Sequence, residues 1–114
     1  MSRTSNALLT ETIIASGTIT SGRFVTFGGL QVGIQGEKVL GVARTDAGLG
    51  EAVAIDVLGI VPVEAGGAIT VGADVIADAQ GRAIVNPAAA TEFVIGTARQ
   101  AAGGAGQFIE ILIR

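Results

Sequence analysis

Acid–base chemistry in this sequence would have to come from ten carboxylates and a single lysine, because it contains no His, no Cys and no Tyr. Enzymes working near neutral pH use an imidazole most often; without one, burial or a neighbouring charge must retune a carboxylate or an amine. Lys38 follows Gly36-Glu37 at the start of an apolar run, which suits a solvated turn residue better than a Schiff-base or proton-transfer lysine. The carboxylates are Glu11, Glu37, Asp46, Glu51, Asp56, Glu64, Asp74, Asp78, Glu92 and Glu110. A glycosidase needs two such groups facing one another, yet most of these stand beside turns or on the polar side of a strand pattern, where solvation accounts for them. Glu110 differs, being flanked by Ile109 and Ile111. An Arg partner is expected for it, with a subunit contact as one place to find that Arg.

Metal and phosphate signals are equally thin. An EF-hand loop needs acids at alternating positions and a closing Glu, and Asp74, Asp78 and Gln80 only loosely echo it. Gly28-Gly29, Gly66-Gly67 and Gly103-Gly104 lack the Lys and the following helix of a phosphate-binding loop, and they read as turns. No catalytic residue, cofactor or metal is expected. The seven basic residues, Arg3, Arg23, Lys38, Arg44, Arg82, Arg99 and Arg114, are scattered in a chain of net charge −3. Nucleic-acid binding needs a basic stripe, usually with stacking aromatics, so a nucleic-acid partner is not expected. The longest uncharged stretch, Phe24 to Gly36, is shorter and richer in Gly than a spanning helix of about 20 apolar residues, and a membrane partner is not expected either. The first residues, Met1 to Glu11, lack the continuous apolar core of a secretion signal.

The elements that must position these side chains are strands. Apolar residues make up 49 % of the chain and aromatics 4 %, with 18 Gly among 114 residues, so the core is built from Ala, Val, Ile and Leu between tight turns. No window of a dozen residues keeps a helical apolar period free of Gly. Strand patterns recur at Thr12–Ala15, Thr18–Thr20, Phe24–Phe27, Lys38–Ala43 and Ala52–Val63, where Pro62 suggests an edge or a bend. Asp74–Ala77 and Arg82–Val85 form the clearest hairpin, with Asp78 bonding ahead of itself and Gly81 closing the turn. Asn86-Pro87 could open a short helical turn over Ala88–Ala90. The last strand, Gln107 to Ile113, is apolar on both faces and is predicted to be buried on both sides, centrally or under a partner chain. The expected fold is all-β: a compact β-sandwich or β-barrel of short antiparallel strands. Residues 11–114 would form one domain, preceded by an N-terminal segment, residues 1–10, that is either a frayed end or an arm anchored on a neighbouring subunit by Leu8 and Leu9.

The sequence also echoes itself. Ile19-Thr20-Ser21-Gly22-Arg23-Phe24-Val25 lines up with Ile69-Thr70-Val71-Gly72-Ala73-Asp74-Val75, and Gly41-Val42-Ala43-Arg44 with Gly96-Thr97-Ala98-Arg99. Each half then runs through an Ala-Gly pair (Ala47-Gly48, Ala102-Gly103), another Gly (Gly50, Gly106), Glu51 or Gln107, and an apolar strand. Chance matching of Gly- and Ala-rich β sequences is one reading. Duplication into two similar β units on one core is the other.

Several landmarks carry a resemblance. Leu40-Gly41-Val42-Ala43 precedes Ala47-Gly48-Leu49-Gly50-Glu51; then come the alternating Ala52–Val57, the Gly59–Val63 segment, the run Ala65–Val75, and Ile95-Gly96-Thr97-Ala98. Over roughly residues 15 to 114 this pattern resembles small tailed-phage head proteins, first catalogued as a domain of unknown function, of the capsid decoration (cement) kind. The resemblance implies a non-enzymatic protein of the virion, made in the host cytoplasm. It would bind the outer surface of the major capsid protein lattice and stabilise the head, associating with itself as a homodimer or homotrimer. Candidate partner contacts are Leu8, Leu9, Phe24, Phe27, Phe108, Ile109, Ile111 and Ile113. Other readings are a different β-structured assembly module, such as a tail, fibre or adhesin piece, and a small ligand-binding β-barrel.

Overall fold

The structure, a computed structural model, describes residues 6–87 and 93–113. Its strands are β1 (Asn6–Ile14), β2 (Phe24–Val25), β3 (Gly41–Ala43), β4 (Ala52–Glu64), β5 (Asp74–Ala77), β6 (Ala83–Val85), β7 (Gly96–Ala98) and β8 (Phe108–Ile113). They join in the order β2-β3-β4-β8-β7-β5-β6, every pair antiparallel, while β1 takes the opposite edge of β4. The two ends of this order meet. Phe24 N–H donates to Gly81 O at 2.7 Å, and the Arg23 and Gln31 side chains both donate to Gln80 O at 3.0 Å. Of the two expected architectures, the sheet takes the barrel, nearly closed.

Many backbone hydrogen bonds of one half recur in the other. Gly22 N–H donates to Ala43 O at 2.9 Å, and Gly72 N–H to Ala98 O at 2.8 Å. Ile19 and Ala47 exchange a pair of backbone bonds, as do Ile69 and Ala102. Ala15 N–H reaches Glu51 O at 2.8 Å; Ala65 N–H reaches Gln107 O at 2.7 Å. The Gly48 and Gly103 amides donate to Oε1 of Glu51 and Gln107 at 2.6 and 2.7 Å. Strand β4 serves both units: its first half closes the first against β1, and its second half opens the second against β8. One buried cluster comprises Ala15, Ile19, Val25, Ala43, Ala47, Val53 and Ile55. Its counterparts Ala65, Ile69, Val75, Ala98, Ala102, Ile109 and Ile111 are all buried in the other. Matching side chains thus occupy matching cores, and the two halves are similar β units.

The second cluster is larger because it includes the joint between the units. Phe24, Val32, Val39 and Val42 come in from the first unit to pack on Val61, Val63, Ala77 and Ala83 of the second. At the edge of that joint Gly22 O accepts the Glu64 N–H at 2.9 Å, and the Phe108 ring lies against Gly22, where a Cβ would overlap it. The predicted hairpin forms, with Val75↔Val85 and Ala77↔Ala83 in register; Asp78 Oδ1 accepts from the amides of Gln80 and Arg82 at 2.9 and 2.8 Å.

Several details differ from the sequence reading. Pro62 lies within a 13-residue strand rather than at a bend, but the expected edge is there: among the described residues β1 pairs no further than Ile60, so the stretch around Pro62 has a strand, β8, on one side only. Alternate amides of β4 point the same way, and Glu64 N–H points away from β8; the nitrogen of Pro62 therefore faces away from the β8 ladder and removes no bond from it. The Phe24–Phe27 strand stops at Val25, because the chain turns back with Thr26 N–H on Leu30 O at 2.7 Å. The boundary expected between an arm of residues 1–10 and a domain from residue 11 falls inside β1, which runs in register from Asn6↔Ile60 to Ile14↔Ala52. Register shifts on either side of Leu9 absorb the adjacent Leu8-Leu9 pair that masks the alternation in the sequence. The helical turn expected over Ala88–Ala90 lies outside the described residues.

Equivalent cores should respond equally. Ile55→Val and Ile111→Val are each expected to lower the unfolding free energy by about 1 kcal/mol, and the double variant by their sum, since the two side chains sit in separate clusters. Urea denaturation of the three variants checks this, and strongly unequal costs would contradict the structural equivalence.

Candidate interaction surface

The charged side chains of this barrel are tied to one another and to the backbone. Asp56, placed on the polar side of its strand by sequence alone, is buried; its Oδ1 accepts from Arg44 Nε at 2.6 Å and from Thr10 Oγ1 at 2.8 Å. Glu110 is buried as well, and its Arg partner comes from its own chain: Arg99 NH1 lies 3.2 Å from Glu110 Oε1. The expected subunit contact is not needed, since β7 brings Arg99 alongside β8. Arg23, Glu64, Arg82 and Asp78 form a chain of ion pairs at 3.0, 3.9 and 3.3 Å across the joint of the two units. Asp78, the centre of the loose calcium echo, thus serves its own turn and Arg82. A cleft of about 440 Å³ opens where β3 and β8 part along β4, lined by Ser21, Arg44, Thr45, Asp56, Pro62 and Phe108. Among the described residues that line it, Asp56 is the one carboxylate, and it is held by Arg44 and Thr10 rather than facing a second acid as hydrolysis of a glycoside would need.

The candidate contact residues separate by burial. Phe24, Ile109, Ile111 and Ile113 are core, and packing within the chain accounts for them. Phe24 plugs the joint, and β8 is central between β4 and β7. A strand apolar on both faces is compatible with either fate, which is why sequence alone left its burial open. Phe108 is half-buried on Gly22. Leu8 and Phe27, by contrast, are 78 % and 63 % exposed, and Leu9 is exposed beside Leu8 on β1.

Phe27 belongs to a patch that sequence reasoning missed in part. The turn after β2 brings Leu30 back beside it, and Ser16 pins this turn to the end of β1: its N–H donates to Gly29 O and its Oγ to Gly28 O, both at 2.9 Å. Ile14, Phe27 and Leu30 are all exposed and lie within three residues in sequence of this Ser16–Gly28-Gly29 anchor, with Ile34 further along the same loop. The Lys38 ammonium stands 5.7 Å from the Phe27 ring centroid, close enough for a cation–π contact that steadies an exposed ring. The uncharged stretch Phe24–Gly36 was the available signal, and it contains Phe27, Leu30 and Ile34. Scattered exposed apolar residues are ordinary, whereas a group held on one hydrogen-bonded turn is a candidate contact surface.

Comparison with known proteins places this geometry. The family model described as phage cement protein matches residues 3–114. Among solved structures, the head fiber gp8.5 N base of bacteriophage phi29 superposes with a TM-score of 0.72 at 21 % identity, over 93 % of each chain. No curated protein sequence matches the chain.

The buried ion pair on β4 gives a measurable consequence. Arg44→Ala leaves the buried Asp56 carboxylate with Thr10 alone and is expected to cost about 1–3 kcal/mol. Adding Asp56→Asn removes the stranded charge and should recover part of that loss in the same denaturation experiment.

Proposed function

The chain belongs to the phage cement protein family, and from that premise we propose that it is a non-enzymatic decoration protein that grips the outer surface of the major capsid protein lattice. In this reading it stabilises the filled head, is made in the host cytoplasm and ends on the virion, and its copies associate with one another. The observation that carries the reading is the exposed apolar turn after β2, with Phe27 and Leu30, fixed to a nearly closed barrel. Leu8 and Leu9 add a second exposed apolar site on β1.

The physics of cementing suits this body. A decoration protein resists the separation of capsid subunits by holding two or more of them at once. After the first contact forms, a rigid body presents its remaining contacts at high effective concentration, so modest sites combine into firm binding. A soft body would lose that gain to the entropy of ordering. Here the apolar turn is tied by two hydrogen bonds from Ser16, and the barrel beneath it has its sheet ends joined through Gly81.

Sedimentation with expanded empty capsids tests the reading. The wild-type chain should co-sediment saturably, at a fixed ratio to the capsid protein. Phe27→Asp and Leu30→Asp, both at exposed positions, should weaken binding about tenfold or more with little change in thermal stability. Shells that never take up the wild-type chain would remove the proposal.

A further inference from the structure

The joint between the two units has a counterpart that this chain leaves vacant. Inside the molecule, Glu64 N–H donates to Gly22 O, Arg23 pairs with Glu64, and the Phe108 ring lies on Gly22. The unit correspondence places Gly72 in the role of Gly22, Ala73 in that of Arg23, Ile14 in that of Glu64 and Ala52 in that of Phe108. Gly72 has the same backbone shape as Gly22, with φ of 86° against 77° and the same bond back to the neighbouring strand. Its surroundings are nonetheless open: among the described residues a Cβ at Gly72 would meet nothing within 4 Å.

The backbone groups that would make the joint are unused on both sides. Ala15 N–H points toward β4, so by strand alternation the N–H of Ile14 points away from it. Among the described residues no backbone acceptor reaches Ile14 N–H and no backbone donor reaches Gly72 O. Val71, next to Gly72, is 65 % exposed, and Ile14 is 61 % exposed. Where the internal joint has the ion pair Arg23–Glu64, the vacant one has Ala73 and Ile14, an apolar pair that gains by leaving water. The open edge of β1 is also undefended: nine residues, one acid, no Lys and no Pro, a composition that invites pairing.

We propose that a second copy of this chain fills each vacancy. The Val71–Ala73 turn of one copy docks on the Ile14–Ala52 rim of the next, and Gly72 O accepts the Ile14 N–H, so that the internal joint is repeated between molecules. This gives the self-association within the proposed function a surface and a direction. The contact is head-to-tail, because it joins two different patches, and it builds a ring where the rotation between copies closes. Pairing β1 on β1 fits less well: antiparallel pairing centred on Thr10 would set the Glu11 carboxylates of the two copies on neighbouring positions, at a cost.

Sedimentation velocity of the purified full chain, without capsids and over a concentration series, tests this. The wild type should associate with increasing concentration, and Ile14→Glu and Val71→Asp should each weaken association about tenfold or more. An equimolar mixture of the two variants should recover a dimer, because each retains the surface that the other has lost. Thermal melts confirm that each variant is folded, and both substitutions sit at exposed positions. A wild type monomeric at every concentration overturns the proposal. So does weakening by Ile14→Glu alone, the signature of β1 pairing with itself, and so does a mixture that stays monomeric. Capsid binding is read in a separate experiment, so a chain that associates without binding shells removes the capsid reading and leaves this contact standing.

Discussion

Gly22 is held from both sides by backbone: its N–H donates to Ala43 O and its carbonyl accepts from Glu64 N–H. The first unit meets the second through this residue, and much else depends on it. A side chain at Gly22 would collide with Phe108 and would have to adopt a left-handed φ, a conformation L side chains rarely take. With glycine there, β2 approaches β4 closely enough for Phe24 to be completely buried in the joint. Burying that ring is worth about 1.5–3 kcal/mol, whereas the partly exposed ion pairs beside it contribute about 0–1 kcal/mol each. Apolar packing therefore holds the joint, and the Arg23–Glu64–Arg82–Asp78 chain fixes its register.

The same small residues explain what the sequence disclosed. Gly and Ala at fixed intervals specify turns and close strand contacts, so the all-β class, the hairpin at Asp78–Gly81 and the duplication were legible. The repeat could be read because the positions that must stay small or apolar are the ones that match. Ile19 and Ile69, Ala43 and Ala98, Ala47 and Ala102 lie in corresponding cores. Burial of charge was not legible. Asp56 alternates with apolar neighbours as a solvent-facing residue would, and only the approach of β1 and Arg44 from elsewhere in the chain encloses it. The outward-facing apolar residues were legible only in part. Leu8, Leu9 and Phe27 were singled out together with Phe24, Ile109, Ile111 and Ile113, because period and composition say which residues are apolar, not which side of a closed sheet they occupy.

Duplication also bears on what such a body can do. A sheet of two like units sharing β4 has a continuous backbone through its middle: β4 passes from one core to the other without a linker, so the units cannot hinge about a loop. Ties at Gly81 and Gln80 close the far side. A load applied to the turn at Phe27 passes through Ser16 into β1, and from β1 into β4 over its whole paired length. That route consists of strand ladders sheared along their length, in which many hydrogen bonds share the force. For a protein proposed to resist expansion of a pressurised shell, this arrangement matters more than any single strong contact.

The asymmetry of the two units completes the physical account. Had the halves been related by a closed two-fold axis, Gly72 would lie on Ile14 as Gly22 lies on Glu64, and both joints would be internal. Instead Gly22 is covered while Gly72 is open, and Glu64 is half-buried while Ile14 is exposed. The relation between units is therefore open: whatever carries the first unit onto the second carries the second past the end of the chain. An open relation leaves one donor face and one acceptor face of the same design on every molecule. The residues on those faces are apolar, with Ala73 where the joint has Arg23 and Ile14 where it has Glu64. Inside a folded chain an ion pair fixes register at little cost, because its partners are already held together. In the contact proposed between molecules the gain must offset the loss of free motion on association, and burial of apolar surface would do that where a solvated ion pair contributes little.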